Sequence, residues 1–237
     1  ESVRDGIDTF VCVGTDAKSS EQAVHFARSH EASYASLALH PHEVAGLDDA
    51  QLEAGIARFK AMLEADSSKI VAIGECGLDY FYHHDETIRE RQKKLLRLHL
   101  ELALRYNLPL IFHIRDAFED FFEIIDAYPK ITGVVHSFSA GPEQLKGVLG
   151  RGLYVGLNGI MTFSKQTDQL QAAKMVPLEK MVLETDAPFL TPAPFRGTMC
   201  KPKHLRVTAK FLSNLRSESI EDLARATTVN AKKLFGI

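Results

Sequence analysis

The chain alternates between short apolar runs and longer segments with helical spacing of apolar residues, a pattern typical of strands and helices arranged in turn. The short runs are rich in β-branched and other apolar residues. They predict seven strands, at Asp8 to Gly14, Tyr34 to His40, Ile70 to Glu75, Leu110 to Ile114, Gly133 to Ser137, Tyr154 to Asn158 and Met181 to Asp186.

The longer segments between these strands are amphipathic and predict helices. They lie at Ser20 to Ser29, Ala50 to Glu64, Glu86 to Arg105, Ala117 to Ala127, Pro142 to Leu149 and Lys165 to Met175, with two or three more helices after Lys201. One helix start carries a chemical signature, because Asp48 and Gln51 have the spacing of a capping box.

Strands that alternate with helices predict βα units around a parallel sheet. Seven strands indicate an α/β fold, a TIM-type (β/α) barrel with one strand missing, because the common closed form has eight. The chain begins at Glu1 and not at Met, so we expect the first strand in upstream sequence. An open doubly wound sheet is the alternative, but no Gly-x-Gly-x-x-Gly turn follows the first strand. We predict a single barrel domain over residues 1–237, incomplete at its N-terminus.

The charge balance restricts how the protein could contact nucleic acid. A net charge of −3 argues against binding by general basic coverage, so phosphate recognition must be local. The three cysteines are scattered and form no Cys-x-x-Cys pair, which favours a reducing, cytoplasmic setting. No apolar run reaches the length of about 20 residues that a membrane span needs. We therefore expect a cytoplasmic protein without a membrane partner.

Polar residues end four of the otherwise apolar strands: Glu75, His113, His136 and Asp186. The carboxyl ends of barrel strands meet at one rim, where the active sites of such enzymes lie. A single polar residue at a strand end commonly caps a helix or accepts a loop hydrogen bond. Four carboxylates and imidazoles that converge on one rim instead favour a metal site with these four residues as ligands.

Two imidazoles and two carboxylates, without a thiolate, suit a catalytic divalent ion such as Mg²⁺, Mn²⁺, Zn²⁺ or Ni²⁺. Such an ion would activate a water, and a second ion roughly 4 Å away could clamp the reacting oxygens. Asp186 and Glu75 are therefore catalytic candidates, and Asp186 could also accept the proton of the attacking water. Glu184 either orients a neighbouring ligand or is a buried acid satisfied by backbone N–H groups.

Six segments in order along the chain resemble the TatD family of metal-dependent deoxyribonucleases. They are Leu39 to His42, Gly74 to Tyr80, Asn107 to Ala117, Val135 to Ser139, Leu183 to Pro188 and Phe195 to Gly197. The resemblance implies a TIM-type barrel with metal-dependent phosphodiesterase activity on DNA. It further implies that Glu75 bridges two ions per subunit, with His113 and His136 completing one site and Asp186 the other. The family's first strand, with a His-x-His pair, has no counterpart before Asp8.

The resemblance places His40 and His42 at the substrate, and a helix-capping or loop role is the alternative. Pro41 between them breaks the alternation that would point both rings at one ion, so we do not assign them as the missing metal pair. Asp79 is a further candidate for substrate binding or for ordering its loop.

Arg115 and Arg196 could each offer a planar guanidinium to phosphate, although the neighbouring Asp116 could pair with Arg115 instead. Tyr80, Phe81 and Tyr82 could stack on an unpaired base or form a hydrophobic lid.

Three functions follow from these observations. The first is hydrolysis of DNA phosphodiester bonds, from a single-stranded or 3′ end, by a metal-activated water. The second keeps the barrel and the metal but cleaves a small-molecule amide, lactone or ester, since one fold hosts many chemistries. The third is a metal-binding scaffold without catalysis, which applies if the His-x-His strand is truly absent.

Overall fold

The computed structural model describes residues 2–82 and 84–237. The chain divides into two compact units. The N-terminal unit comprises Thr9–Val134 with Phe235–Ile237, and the C-terminal unit comprises Val135–Leu234 with Glu1–Asp8. All seven predicted strands are present, and within each unit neighbouring strands run parallel.

The N-terminal unit is built from successive βα pairs, and its strands pair in the order β1-β2-β3-β4. The elements are β1 (Phe10–Cys12), α1 (Ala17–Ser29), β2 (Ser33–Leu37), a 3-10 helix (Pro41–Ala45), α2 (Asp49–Ala65), β3 (Ile70–Asp79), α3 (Glu86–Tyr106), β4 (Leu110–Arg115) and α4 (Phe118–Asp126). Strand β5 (Gly133–Val135) ends where the C-terminal unit begins.

The C-terminal unit continues the alternation, and in it β6 pairs with β7. Its longer elements are α5 (Pro142–Gly150), β6 (Tyr154–Leu157), α6 (Thr167–Met175), β7 (Met181–Leu183), α7 (Leu205–Arg216) and α8 (Ile220–Phe235). Short 3-10 helices occupy Gly159–Thr162, Leu178–Lys180 and Pro202–His204. No helix among residues 2–82 and 84–237 is both long and apolar enough to cross a membrane.

Local chemistry explains where the helices begin and end. The predicted capping box is confirmed. The N–H of Gln51 donates to Asp48 Oδ1, and the N–H of Asp48 donates to Gln51 Oε1, each at a distance of 2.8 Å. Helix α3 begins after the cap residue Asp85 and ends at Asn107, whose left-handed φ of 53° closes the last turn. These caps satisfy backbone groups that the helix ends would otherwise leave unpaired.

Strand β3 corrects one prediction, because it runs four residues past Glu75 to Asp79. Gly74 pairs with Ile111 and Cys76 with Phe112, so the register shifts across Glu75, which marks a β-bulge. A Cβ added at Gly77 would lie 2.0 Å from the carbonyl oxygen of His113. Glycine therefore lets β3 continue closely beside β4, and Glu75 lies inside the strand.

Strand β7 differs from its prediction in the opposite direction, since it ends at Leu183 and not at Asp186. Glu184 and Asp186 consequently lie in the loop that follows. Asp186 has a left-handed φ of 59°, which ends the extended conformation at this point.

Candidate metal centre

The N-terminal unit brings Glu75 and His113 into direct contact. Glu75 comes from the bulge in β3, and His113 from β4 beside it, where His113 pairs with Gly77. Oε1 of Glu75 lies 2.8 Å from Nδ1 of His113, and both side chains are largely buried. The structure therefore joins two of the four predicted ligands on adjacent strands.

Asp79 faces the other side of the same imidazole. Its Oδ2 lies 2.8 Å from His113 Nε2, and its side chain is 1% exposed. A carboxylate that accepts one ring N–H of a histidine fixes the ring and leaves the other nitrogen to bind a cation. With Nε2 donating to Asp79, Nδ1 of His113 is the nitrogen turned towards Glu75.

The charged groups of this cluster shift the pKa values of Asp79 and His113. Burial alone would raise the pKa of Asp79, but hydrogen bonding and charge from His113, with the charge of His42, hold it well below its usual range. Burial alone would lower the pKa of His113, yet its bonds to Asp79 and Glu75 raise it above 6.5. The two carboxylates therefore favour the protonated form of the ring between them, and a bound cation would supply the same positive charge.

His40 adjoins this pair, since its Nε2 lies 3.6 Å from Glu75 Oε1. Suitable ligand atoms of His40, Glu75 and His113 all lie within 4.8 Å of one another. However, the N–H of His42 donates to His40 Nδ1 over 3.3 Å, which leaves the ring proton of a neutral His40 on Nε2. A protonated ring nitrogen donates a hydrogen bond and does not bind metal. In this tautomer Nε2 of His40 can therefore donate to Glu75 or to substrate.

His42 lies on the more open side of the cluster, with 40% of its side chain exposed. Its Nε2 is 3.1 Å from Asp79 Oδ2. Burial, followed by the charge of His40, lowers the pKa of His42 below 6.5. The predicted substrate pair therefore lies directly beside the predicted ligands of this unit.

The C-terminal unit contains a second imidazole between two carboxylates. Nδ1 of His136 lies 2.8 Å from Glu184 Oε2, and Nε2 of the same ring lies 3.5 Å from Asp186 Oδ1. The pattern repeats that of His113, with Glu184 in the orienting place of Asp79. The structure therefore brings together the other two predicted ligands, and the contact of Glu184 with His136 fits the first of its two predicted roles.

Glu184 is fixed by the backbone around it. The N–H of Ser137 donates to Glu184 Oε1 over 2.6 Å, while Asn158 Nδ2 donates to Ser137 Oγ over 2.8 Å. A Cβ added at Gly156 would lie 2.7 Å from Glu184 Oε2. The carboxylate thus occupies space that only glycine leaves open, next to His136.

The two predicted phosphate-binding arginines both lie on aromatic rings. Arg115 Cζ is 3.6 Å from the centre of the Phe81 ring, in the N-terminal unit. Arg196 Cζ is 3.8 Å from the centre of the Phe163 ring, in the C-terminal unit, and its Nη1 donates to Thr191 O over 3.5 Å. Stacking holds each guanidinium by its face and leaves edge donors available.

Sequence reasoning assigned no role to two buried polar residues of α3. Gln92 Oε1 accepts from the N–H of Asp79 over 2.8 Å, and its Nε2 donates to Asp79 O over 3.0 Å. His99 Nε2 accepts from the N–H of Leu39 over 3.1 Å, next to His40. Their spacing of seven residues places them on one helix face, which was the available signal.

The donors in both clusters are carboxylates and imidazoles, which suit Zn²⁺, Mn²⁺, Ni²⁺ or Mg²⁺. A family model described as TatD related DNase matches residues 1–236. The chain belongs to this TatD-related family. The predicted family resemblance is thereby confirmed.

Relatives of this TatD-family protein match it along nearly its whole length. A Bacillus subtilis protein named "Uncharacterized metal-dependent hydrolase YabD" is 33% identical over 233 residues, which are 98% of this chain and 88% of that protein. An Escherichia coli protein named "3'-5' ssDNA/RNA exonuclease TatD" is 32% identical over 241 residues, which cover 98% of this chain and 89% of that protein.

A solved structure shows the same fold. The crystal structure of YjjV, a TatD homologue from Escherichia coli, matches with a TM-score of 0.89 and 30% identity, over 99% of this chain and 88% of that one. The predicted TIM-type α/β fold class is confirmed, and the protein is a metal-dependent hydrolase of the TatD family. The roles of individual residues and the number of ions stay predictions.

Proposed function

We propose that this protein hydrolyses phosphodiester bonds of single-stranded DNA, beginning at a 3′ end, with divalent ions at the two imidazole–carboxylate clusters. The contact of Glu75 with His113, which Asp79 orients from the far side of the ring, carries the proposal. A relative named as a 3'-5' single-strand exonuclease supports the choice of bond and direction. We expect two ions per subunit in the full-length protein.

In this proposal Glu75, His113, His136 and Asp186 hold the ions. A divalent ion supplies Lewis-acid activation of water and neutralises phosphate charge when bound. Asp186 accepts the proton of the attacking water, because it is the most exposed of these carboxylates, with 28% of its side chain accessible. Asp79 and Glu184 keep the rings of their histidines in the binding orientation.

Substrate contacts fall to residues beside the ligands. The Nε2 proton of His40 can donate to phosphate oxygens, as can the guanidinium groups of Arg115 and Arg196, and the half-exposed His42 lies beside His40 as the second substrate candidate of the pair. The chain as a whole carries a net charge of −3. Local donors, and not a basic surface, would thus attract the strand end.

We also infer a cytoplasmic location and no membrane partner. All three cysteines are free thiols, and burial raises the pKa of each, which keeps them unreactive.

The test is cleavage of a 5′-labelled single-stranded oligonucleotide by the full-length protein with Mg²⁺ or Mn²⁺. Wild type should produce a ladder of products shortened from the 3′ end, and chelator should abolish it. Glu75→Gln should lower the rate by roughly a hundredfold or more, since even loss of an orienting partner costs ten- to a hundredfold. Glu119→Gln, at an exposed position of α4, is the matched control and should cleave as wild type does.

Intact oligonucleotide in the presence of wild-type protein and bound Mn²⁺ would refute the nuclease. The bond would then be sought among small-molecule esters, lactones and amides.

A further inference from the structure

We propose that Phe81, Tyr82 and Arg115 form a stacking subsite for a nucleobase of a single-stranded substrate, beside the candidate metal centre. This inference rests on the proposed nuclease function. It assigns a ligand-binding role to exposed rings in the turn after β3, where a large apolar surface would otherwise face water.

The turn separates one buried aromatic residue from two exposed ones. Tyr80 is 8% exposed, and its hydroxyl donates to Asp120 Oδ2 over 2.6 Å while Arg89 lies over its ring. Phe81 and Tyr82 are 45% and 62% exposed. Tyr80 therefore anchors the turn, while Phe81 and Tyr82 stay accessible to a ligand.

The same carboxylate that orients His113 also fixes this turn. The N–H of Phe81 donates to Asp79 Oδ1 over 3.0 Å. The ring of Tyr82 meets the ring of His42 edge to face, with centroids 5.7 Å apart. The exposed rings are thus tied directly to residues of the candidate metal centre, and a base stacked there would bring its phosphate near that centre.

Arg115 completes the subsite. Its Cζ lies 3.6 Å from the Phe81 ring centre and 5.2 Å from that of Tyr82. Among residues 2–82 and 84–237, its guanidinium makes no hydrogen bond or ion pair, so the predicted rival pairing with Asp116 does not form. The donors at its edge are therefore available to a substrate phosphate.

Flat aromatic and guanidinium faces beside a free donor edge match the chemistry of a single-stranded nucleic acid. Every base has a π-face, so stacking binds bases without regard to sequence, while the guanidinium binds the backbone. A hydrophobic lid would not require an unpaired guanidinium within the apolar patch. The structure therefore favours the base-stacking role over the lid.

The test compares two 5′-labelled oligonucleotides with wild-type and variant full-length protein. One has normal nucleotides throughout, and the other has abasic residues at its three 3′-terminal positions. Phe81→Ala and Tyr82→Ala should each lower kcat/KM on the normal strand by about tenfold, the effect of losing one base stack. Both should leave kcat/KM on the abasic strand within about twofold of wild type.

Two controls accompany these variants. Phe81→Trp keeps a flat face and should restore activity on the normal strand. Phe26→Ala removes a ring on α1 that is equally exposed, at 45%, and should leave kcat/KM unchanged on both strands. Equal losses on both strands for Phe81→Ala and Tyr82→Ala, or no loss on either, would overturn the subsite while wild-type cleavage still upheld the nuclease. If wild type cleaves neither strand, the proposed function fails and the subsite fails with it.

Discussion

At the scale of single residues, the two units use one arrangement twice. His113 lies between Asp79 and Glu75, and His136 lies between Glu184 and Asp186, although the latter contact is longer at 3.5 Å. His113 lies 2.8 Å from both of its carboxylates, whereas at His136 the contact with Glu184 is the shorter one. Position near a strand end selected the candidate ligands. The acids on the far side of each imidazole could not be chosen in this way, because their position depends on the path of the chain after each strand.

The orienting role of Asp79 predicts an effect on metal affinity. Asp79→Asn keeps the size of the side chain but removes the charge that holds the Nε2 proton of His113. We expect the affinity for Mn²⁺ to fall about ten- to a hundredfold, as measured by titration calorimetry.

Asp116→Asn is the control for this variant. Asp116 is exposed and has a left-handed φ of 55°, which asparagine adopts equally well. It should bind Mn²⁺ as wild type does. Equal affinities of the Asp79 and Asp116 variants would contradict the orienting role.

At the scale of elements, α3 holds the end of β3 and the segment that follows β2. Gln92 bonds to both backbone groups of Asp79, and His99 bonds to the N–H of Leu39. Both side chains are fully buried, and the Nδ1 proton of His99 is donated to Leu95 O over 2.9 Å. Polar residues on a buried helix face are tolerated because each finds partners in the loop it contacts.

His99 makes stability depend on pH. Burial lowers its pKa from 6.5 to about 4, so between these values the unfolded chain binds a proton that the folded chain excludes. The free energy of unfolding should therefore fall as pH decreases from 7 towards 4. The slope from this residue approaches about 1.4 kcal/mol per pH unit.

His99→Gln tests this by urea denaturation at pH 7 and pH 5. Glutamine can accept from Leu39 without titrating, so the variant should lose less stability on acidification than wild type. His25→Gln, at an exposed position of α1, should keep the wild-type dependence. Identical pH dependence in the two variants would exclude His99 as the cause.

At the scale of the whole molecule, the order of strands and helices could be predicted because apolar spacing reports it directly. The ends of β3 and β7 could not, since a bulge at Glu75 and a left-handed Asp186 depend on backbone geometry. Position near a strand end selected the four ligand candidates, and their role as ligands stays a prediction. The structure divides into two compact units, and the single domain expected from the chain length stays a prediction.

The central claim is that Glu75 and His113 bind a divalent ion. The most direct measurement is the anomalous scattering of crystals of the full-length protein soaked in Zn²⁺. We predict a peak about 2.0–2.2 Å from a Glu75 oxygen and from a His113 ring nitrogen, with Asp79 still bonded to the other nitrogen. A map without a peak at these atoms, in which Glu75 and His113 stay hydrogen-bonded to each other, would contradict the claim.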